Sequence, residues 1–182
     1  MRITRFFAGG IAGAALAVAL SGCVSSTPPL TVYGGLIDRC VENRTSDEGF
    51  MALLGTTVVN ESSRSVILRD VQAENLVNAS IGEVSVVRLL SPETGFGVAP
   101  GGTLTPEQRV MWRERLPLNG TVIGPSEAVS IVVHLHADDY RDYAGIDGLR
   151  VKYDDGWFSA TATSDTEVGF VPPWTTCSAH GR

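Results

Sequence analysis

The chain has 182 residues, with 20 acidic and 14 basic side chains and a formal charge of −6 at neutral pH. Lys152 is the only lysine, the arginines are scattered, and no basic cluster supplies the footprint that nucleic-acid binding requires. The length suits one domain with a real hydrophobic core and is short for two.

The first predicted element is a leader. Arg2 and Arg5 form a short basic region, residues 6–20 are an uncharged Ala/Gly/Leu-rich run, and small residues lead to Cys23. That is the layout of a secretory signal peptide. The run is 15 residues, short of the roughly 20 that span a bilayer. The alternative is an ordinary signal peptide or membrane anchor whose cysteine is incidental.

Leu20-Ser21-Gly22-Cys23 resembles the bacterial lipobox. The resemblance implies that residues 1–22 are removed and that Cys23 becomes a mature N-terminus. It would carry a diacylglyceryl group and usually a further N-acyl chain such as palmitate. It also implies a cell-membrane location, lipid-anchored on the extracytoplasmic face. One acyl chain binds membranes only marginally, whereas two anchor stably. Loss of the leader leaves 12 basic against 20 acidic residues. A body of that charge is repelled by anionic headgroups, so attachment falls to the lipid.

With Cys23 assigned to lipid, Cys40 and Cys177 remain. In an oxidising compartment the pair is expected to form a disulfide; two separate buried thiols are the alternative. Both cysteines are expected to lie outside the strands, at the two ends of the folded body. A bond there would contribute up to about 5 kcal/mol by chain-entropy arithmetic.

Residues 23–49 are read as the lipidated N-terminus, a Ser/Thr/Pro-rich tether and an arm that is either extended or a short helix. A folded domain is expected over 50–177, with a tail over 178–182. Thr56, Thr57, Val58 and Val59 mark a strand that ends in the turn-like Asn60-Glu61-Ser62-Ser63. From Ser65 to Glu74, Val66, Leu68 and Asp70 face one way and Ile67, Arg69 and Val71 the other. The phase then switches around Arg69 to Val71, which predicts a bulge or bend. Ile81 to Leu90 sets Val84 and Val86 against Ser85 and Val87. Residues 91–120 are irregular. Gly95 to Gly102 is a loop without the Lys-Ser/Thr of a P-loop. Thr105-Pro106-Glu107-Gln108 fits a capping box that opens a short helix over 106–115, with an extended edge segment as the rival.

Ala128 to His136 is the clearest strand. Val129, Ile131, Val133 and Leu135 share one face; Ala128, Ser130, Val132, His134 and His136 share the other. Leu149, Val151 and Tyr153 alternate with Arg150 and Lys152. The corner Asp154-Asp155-Gly156 then predicts a hairpin into Trp157 to Thr163. Val168 to Val171 makes one more short strand before Pro172-Pro173.

These elements give an all-β chain: an antiparallel sandwich of about seven strands, with one short helix in a long loop. The strings VVNESSRSVIL, PSEAVSIVVHL and GLRVKYDDG, within residues 53–171, resemble immunoglobulin-like domains of bacterial secreted lipoproteins. That resemblance implies an immunoglobulin-like sandwich and a binding or structural role, not an active site.

His134-Leu135-His136 is chemically able to hold Zn²⁺ or Cu²⁺, with Asp138 and Asp139 just beyond. Two histidines on a solvent face are the simpler reading. A His/Met copper site is not expected, because Met51 and Met111 are not placed with the histidines by sequence, and His180 lies in the tail. Asp138, Asp139, Asp142, Asp147, Asp154 and Asp155 are expected as solvated turn residues around one end of the domain. They do not match a calcium loop. The Asn-x-Ser/Thr sites at Asn43, Asn60, Asn78 and Asn119 read as turn chemistry. Trp157 is expected in the core, and Trp112 and Trp174 as plugs at the open ends of the sandwich, with an anchor for a partner as the alternative. No Gly-x-Ser-x-Gly or CxxC motif is present.

The sequence therefore points to a non-enzymatic binding or structural module of the cell envelope, with no cofactor. Its expected partners are the membrane, through the lipid, and an unidentified envelope protein or polymer, not nucleic acid. The alternative is a Zn- or Cu-binding lipoprotein using His134 and His136.

Overall fold

The computed structural model describes residues 28–33, 39–42, 49–91, 94–137, 141, 143–156 and 158–180. Cys23, Trp157, Asp138, Asp139 and Asp142 lie outside the described residues.

Two β-sheets enclose one core. The first sheet is built from β1 (Leu30–Tyr33), β3 (Phe50–Asn60), β9 (Ala128–Ala137), β5 (Ser80–Arg88) and the two-residue β7 (Leu116–Pro117), in that order, all antiparallel. The second has β12 (Phe158–Ser164), β11 (Gly148–Asp155), β4 (Val66–Glu74) and the two-residue β8 (Val122–Ile123). Taking β1, β3, β4, β5, β9, β11 and β12 as the seven principal strands, the orders are 1-2-5-4 in one sheet and 7-6-3 in the other. That arrangement defines the immunoglobulin fold, so the expected all-β, immunoglobulin-like sandwich is the fold observed.

Among the described residues, two short strands precede residue 50: β1 edges the first sheet, and β2 (Arg39–Glu42) belongs to a separate three-stranded sheet. β1 pairs with β3, whereas β2 runs parallel to β13 (Val168–Val171), which also pairs with β10 (Ala144–Ile146). Cys40 is therefore inside a strand, not outside the strands as its sequence position suggested. It is bonded to Cys177, with Cα atoms 5.6 Å apart. Residues 177–180 form one 3-10 turn.

Alternation explains the inner core. Val129, Ile131, Val133 and Leu135 of β9 are buried against Leu54 and Val58 of β3, Leu68 of β4, and Leu149, Val151 and Tyr153 of β11. The expected irregularity in β4 is present: Lys152 pairs with Asp70 but Tyr153 with Leu68, so Arg69 is the extra residue. The bulge lets Val66, Leu68 and Val71 all point inward although their spacing is not uniform. The hairpin also forms as expected, with Asp155 paired to Phe158 and Gly156 at φ +67.

Asn60 looks like an ordinary turn residue in the sequence, yet it is fully buried. Its Nδ2 donates to the carbonyls of Arg64, Ile123 and Gly124 at 2.7, 3.1 and 3.0 Å, and its Oδ1 accepts from the Ser62 backbone at 3.1 Å. One amide thus ties two loops to the end of β3, in keeping with the rule that buried polar groups are hydrogen-bonded.

Candidate functional site

The connection between β5 and β9 is where this molecule departs from a plain sandwich. It descends the outer face of the first sheet, adds β6 (Val98–Pro100) beside β3, then turns into α1 (Pro106–Arg113). The Gly-rich stretch expected as a loop thus contributes a strand. The helix starts as its sequence predicted. The Gln108 backbone N–H donates to Thr105 Oγ1 at 3.2 Å, and the Thr105 N–H donates to Gln108 Oε1 at 2.9 Å. Gln108 Nε2 also donates to the Phe96 carbonyl at 3.0 Å, which fastens the helix to the descending strand.

This excursion makes a second, smaller core outside the sandwich. Leu53, Val87, Phe96, Ala99 and Val132 are buried together, with Leu104, Met111 and Trp112 packed against them. Phe96 settles directly over Gly55. A β-carbon there would lie 2.4 Å from Phe96 Cβ, so the approach requires glycine. The face of β9 that carries Ser130, Val132 and His134 is consequently covered rather than solvated.

The two histidines sit at the lower edge of this cover. The His134 ring stacks on Trp112 with centroids 5.7 Å apart, and His136 is 6.4 Å from His134. Arg115 lies over the Trp112 ring, 4.7 Å from its centre, and is 3.4 Å from Glu83. His134 Nε2 is buried without a hydrogen-bond partner among the described residues. Burial holds the His134 imidazole below its ordinary pKa, while Glu83 pulls it upward. The Ser85 hydroxyl holds the Glu83 carboxyl below the usual carboxylate range, with Arg115 adding to the effect.

Among the described residues no group of three His, Cys, Asp or Glu is gathered for a metal ion. Register does place Met51 opposite His136, which the sequence reading did not expect. The two side chains lean apart, however. Met51 Cε rests against Gly102 on the β6 side of β3, whereas the His136 ring lies over Gly82 of β5. The expected acidic group is also divided. Asp154 and Asp155 stand at one end of β11 and Asp147 beyond the other, about 25 Å apart along a strand of this length. Asp154 is 2.5 Å from Arg69 and Asp155 2.9 Å from Arg64, so these are ion-paired carboxylates.

Trp112 covers an edge of the outer core, as anticipated, but Trp174 is 60% exposed and plugs nothing. The feature the sequence reading missed is a hollow of about 500 Å³ between α1 and the start of the excursion. Leu90, Gly95, Val110 and Met111 form its apolar walls, and Thr94, Thr105 and Glu107 its polar margin. Leu90 is 92% exposed and Val110 61%. Exposure of two large apolar side chains beside one concavity is the signal that mattered.

No protein-family model matches the chain, and no curated protein matches it. Among solved structures the chain is similar to the ASH/PapD-like domain of human CEP192 (PapD-like domain 7). That similarity has 10% identity and a TM-score of 0.38, covering 90% of this chain and 97% of that one.

Proposed function

We propose that this protein is a lipid-anchored, extracytoplasmic module of the cell envelope that binds an envelope protein or polymer without catalysis. The binding surface is the hollow beside α1. The observation that carries this reading is the excursion itself. A stretch between two core strands builds a private core, covers one sheet face, and still leaves Leu90 and Val110 open to solvent. The Cys40–Cys177 bond supports the compartment, since structural disulfides persist where the environment is oxidising.

A photo-crosslinking side chain at Val110, compared with one at Thr161 on the far sheet, tests the surface in living cells. A discrete adduct from Val110 and none from Thr161 is the expected result; equal labelling, or none, rejects the assignment. Cys23→Ala should leave the protein unprocessed or free of membranes. An unmodified Cys23 in the wild type ends the anchoring argument.

The unpartnered His134 Nε2 favours one second reading, a Zn²⁺ or Cu²⁺ site on His134 and His136. Calorimetric titration decides it: tight binding that vanishes in the His134→Ala, His136→Ala double variant would replace the first reading.

A further inference from the structure

One end of the sandwich gathers the point where the tether leaves and the two most exposed large apolar side chains. The Glu61 N–H donates to the Pro29 carbonyl, the Asn60 N–H to Glu127, and the Leu89 N–H to Ala128. Pro29, the Asn60 turn and Leu90 therefore share that end. The hairpin tip joins them, because Asp154 pairs with Ile67 at the start of β4 and Asp155 with Phe158. Leu90 is 92% exposed and Phe158 76%, and Val122 lies between them on β8. Leu76, Val77 and Trp174, exposed apolar residues at the opposite end, are less open.

We infer that this end rests on the bilayer, with Leu90 and Phe158 seated at the boundary between headgroups and acyl chains, so that the Leu90 rim of the hollow meets lipid and its α1 wall, with Val110, stays open to the partner. The inference rests on the reading of Cys23 as the anchored residue. From Cys23 to Pro28 is five residue steps, which reach at most about 18 Å fully extended. The first described residue is therefore held within that distance of the lipid, and the end that carries it faces the membrane. Charge permits the approach. Asp154, Asp155 and Glu127 at this end are each paired with an arginine, Arg69, Arg64 and Arg88 respectively. Tyr33 donates to Glu61 at 3.0 Å. The acidic body thus turns ion pairs, rather than bare carboxylates, toward the headgroups.

The test uses residues 23–182 with a lipid coupled chemically to the Cys23 thiol. This keeps the tether length whether or not the cell lipidates that cysteine. On vesicles of phosphatidylcholine and phosphatidylethanolamine, hydroxyl-radical footprinting should show Leu90 and Phe158 protected several-fold relative to the uncoupled protein. Trp174 and Val110 should be unchanged. With a single myristoyl-length chain, whose own binding is marginal, Leu90→Ser with Phe158→Ser should lower vesicle partition by about tenfold or more. Val110→Ser with Trp174→Ser should not. Unprotected Leu90 and Phe158, protection at Trp174 instead, or equal partition of the two double variants overturns the inference. Intact mass of protein made in cells reports separately on lipidation at Cys23, so the two failures are distinguishable.

Discussion

The two sheets of this sandwich have opposite outer faces. The second sheet turns Arg150, Thr161 and Thr163 to water, as alternation along a half-buried strand dictates. The first is packed inside by the main core and is also covered in the middle of its outer face, where Phe96 and α1 lie over Leu53, Val87 and Val132. The difference teaches that the inner core specifies the fold, whereas the outer cover is an addition that makes a surface. Such an addition is removable in principle without loss of the sandwich.

The largest effect belongs to the staple. Reduction of Cys40–Cys177, which are 137 residues apart, should cost up to about 5 kcal/mol. A lowered Tm with native far-UV circular dichroism is expected. Complete unfolding would show that the inner core does not stand alone. Next comes Ile131→Ala, inside the main core, at about 3 kcal/mol in urea titration. Gly55→Ala should cost about 2 kcal/mol by lifting Phe96 off the sheet. The near-UV signal of Trp112 should change while sheet content holds; loss of the whole sandwich would mean the cover is not separable.

A smaller effect comes from His134. Its folded pKa lies below the ordinary 6.5, so the unfolded chain takes up the proton first. Stability is complete above about pH 6.5 and falls as the pH drops toward the folded value. Urea midpoints at about pH 7.5 and about pH 5.5 should converge in His134→Gln; an unchanged gap would assign the acid sensitivity elsewhere. Least of all, Arg150→Ala on the solvated face should shift stability by no more than about 0.5 kcal/mol, despite its ion pair with Glu74.

What the sequence made legible was local. The β9 alternation, the phase switch at Arg69, the capping box at Thr105 and the Asp-Gly corner each depend on neighbours within a few positions. What it hid depends on distant partners. The Asn60 amide is satisfied by Ile123 and Gly124, more than sixty positions away. The parallel pairing of Arg39–Glu42 with Val168–Val171 leaves no periodic trace in so short a strand. The outer cover had one clue: Gly55 in mid-strand beside an apolar Val132 marks close backbone approach. Of the candidate site, the histidines were visible as a pair. Their stacking on Trp112 was not, because it needs the helix folded back over the sheet.

The Cys40–Cys177 bond near the start of the chain has a mechanical consequence. If the chain is anchored at Cys23 as proposed, a pull from that end reaches the domain first through Leu30–Tyr33 and their pairing with β3. Should that pairing give way, the unravelling has a hard stop. Cys40 is covalently fixed to Cys177, so the load passes to the disulfide and to the small sheet of β2, β13 and β10. The slack between anchor and stop is at most about 60 Å.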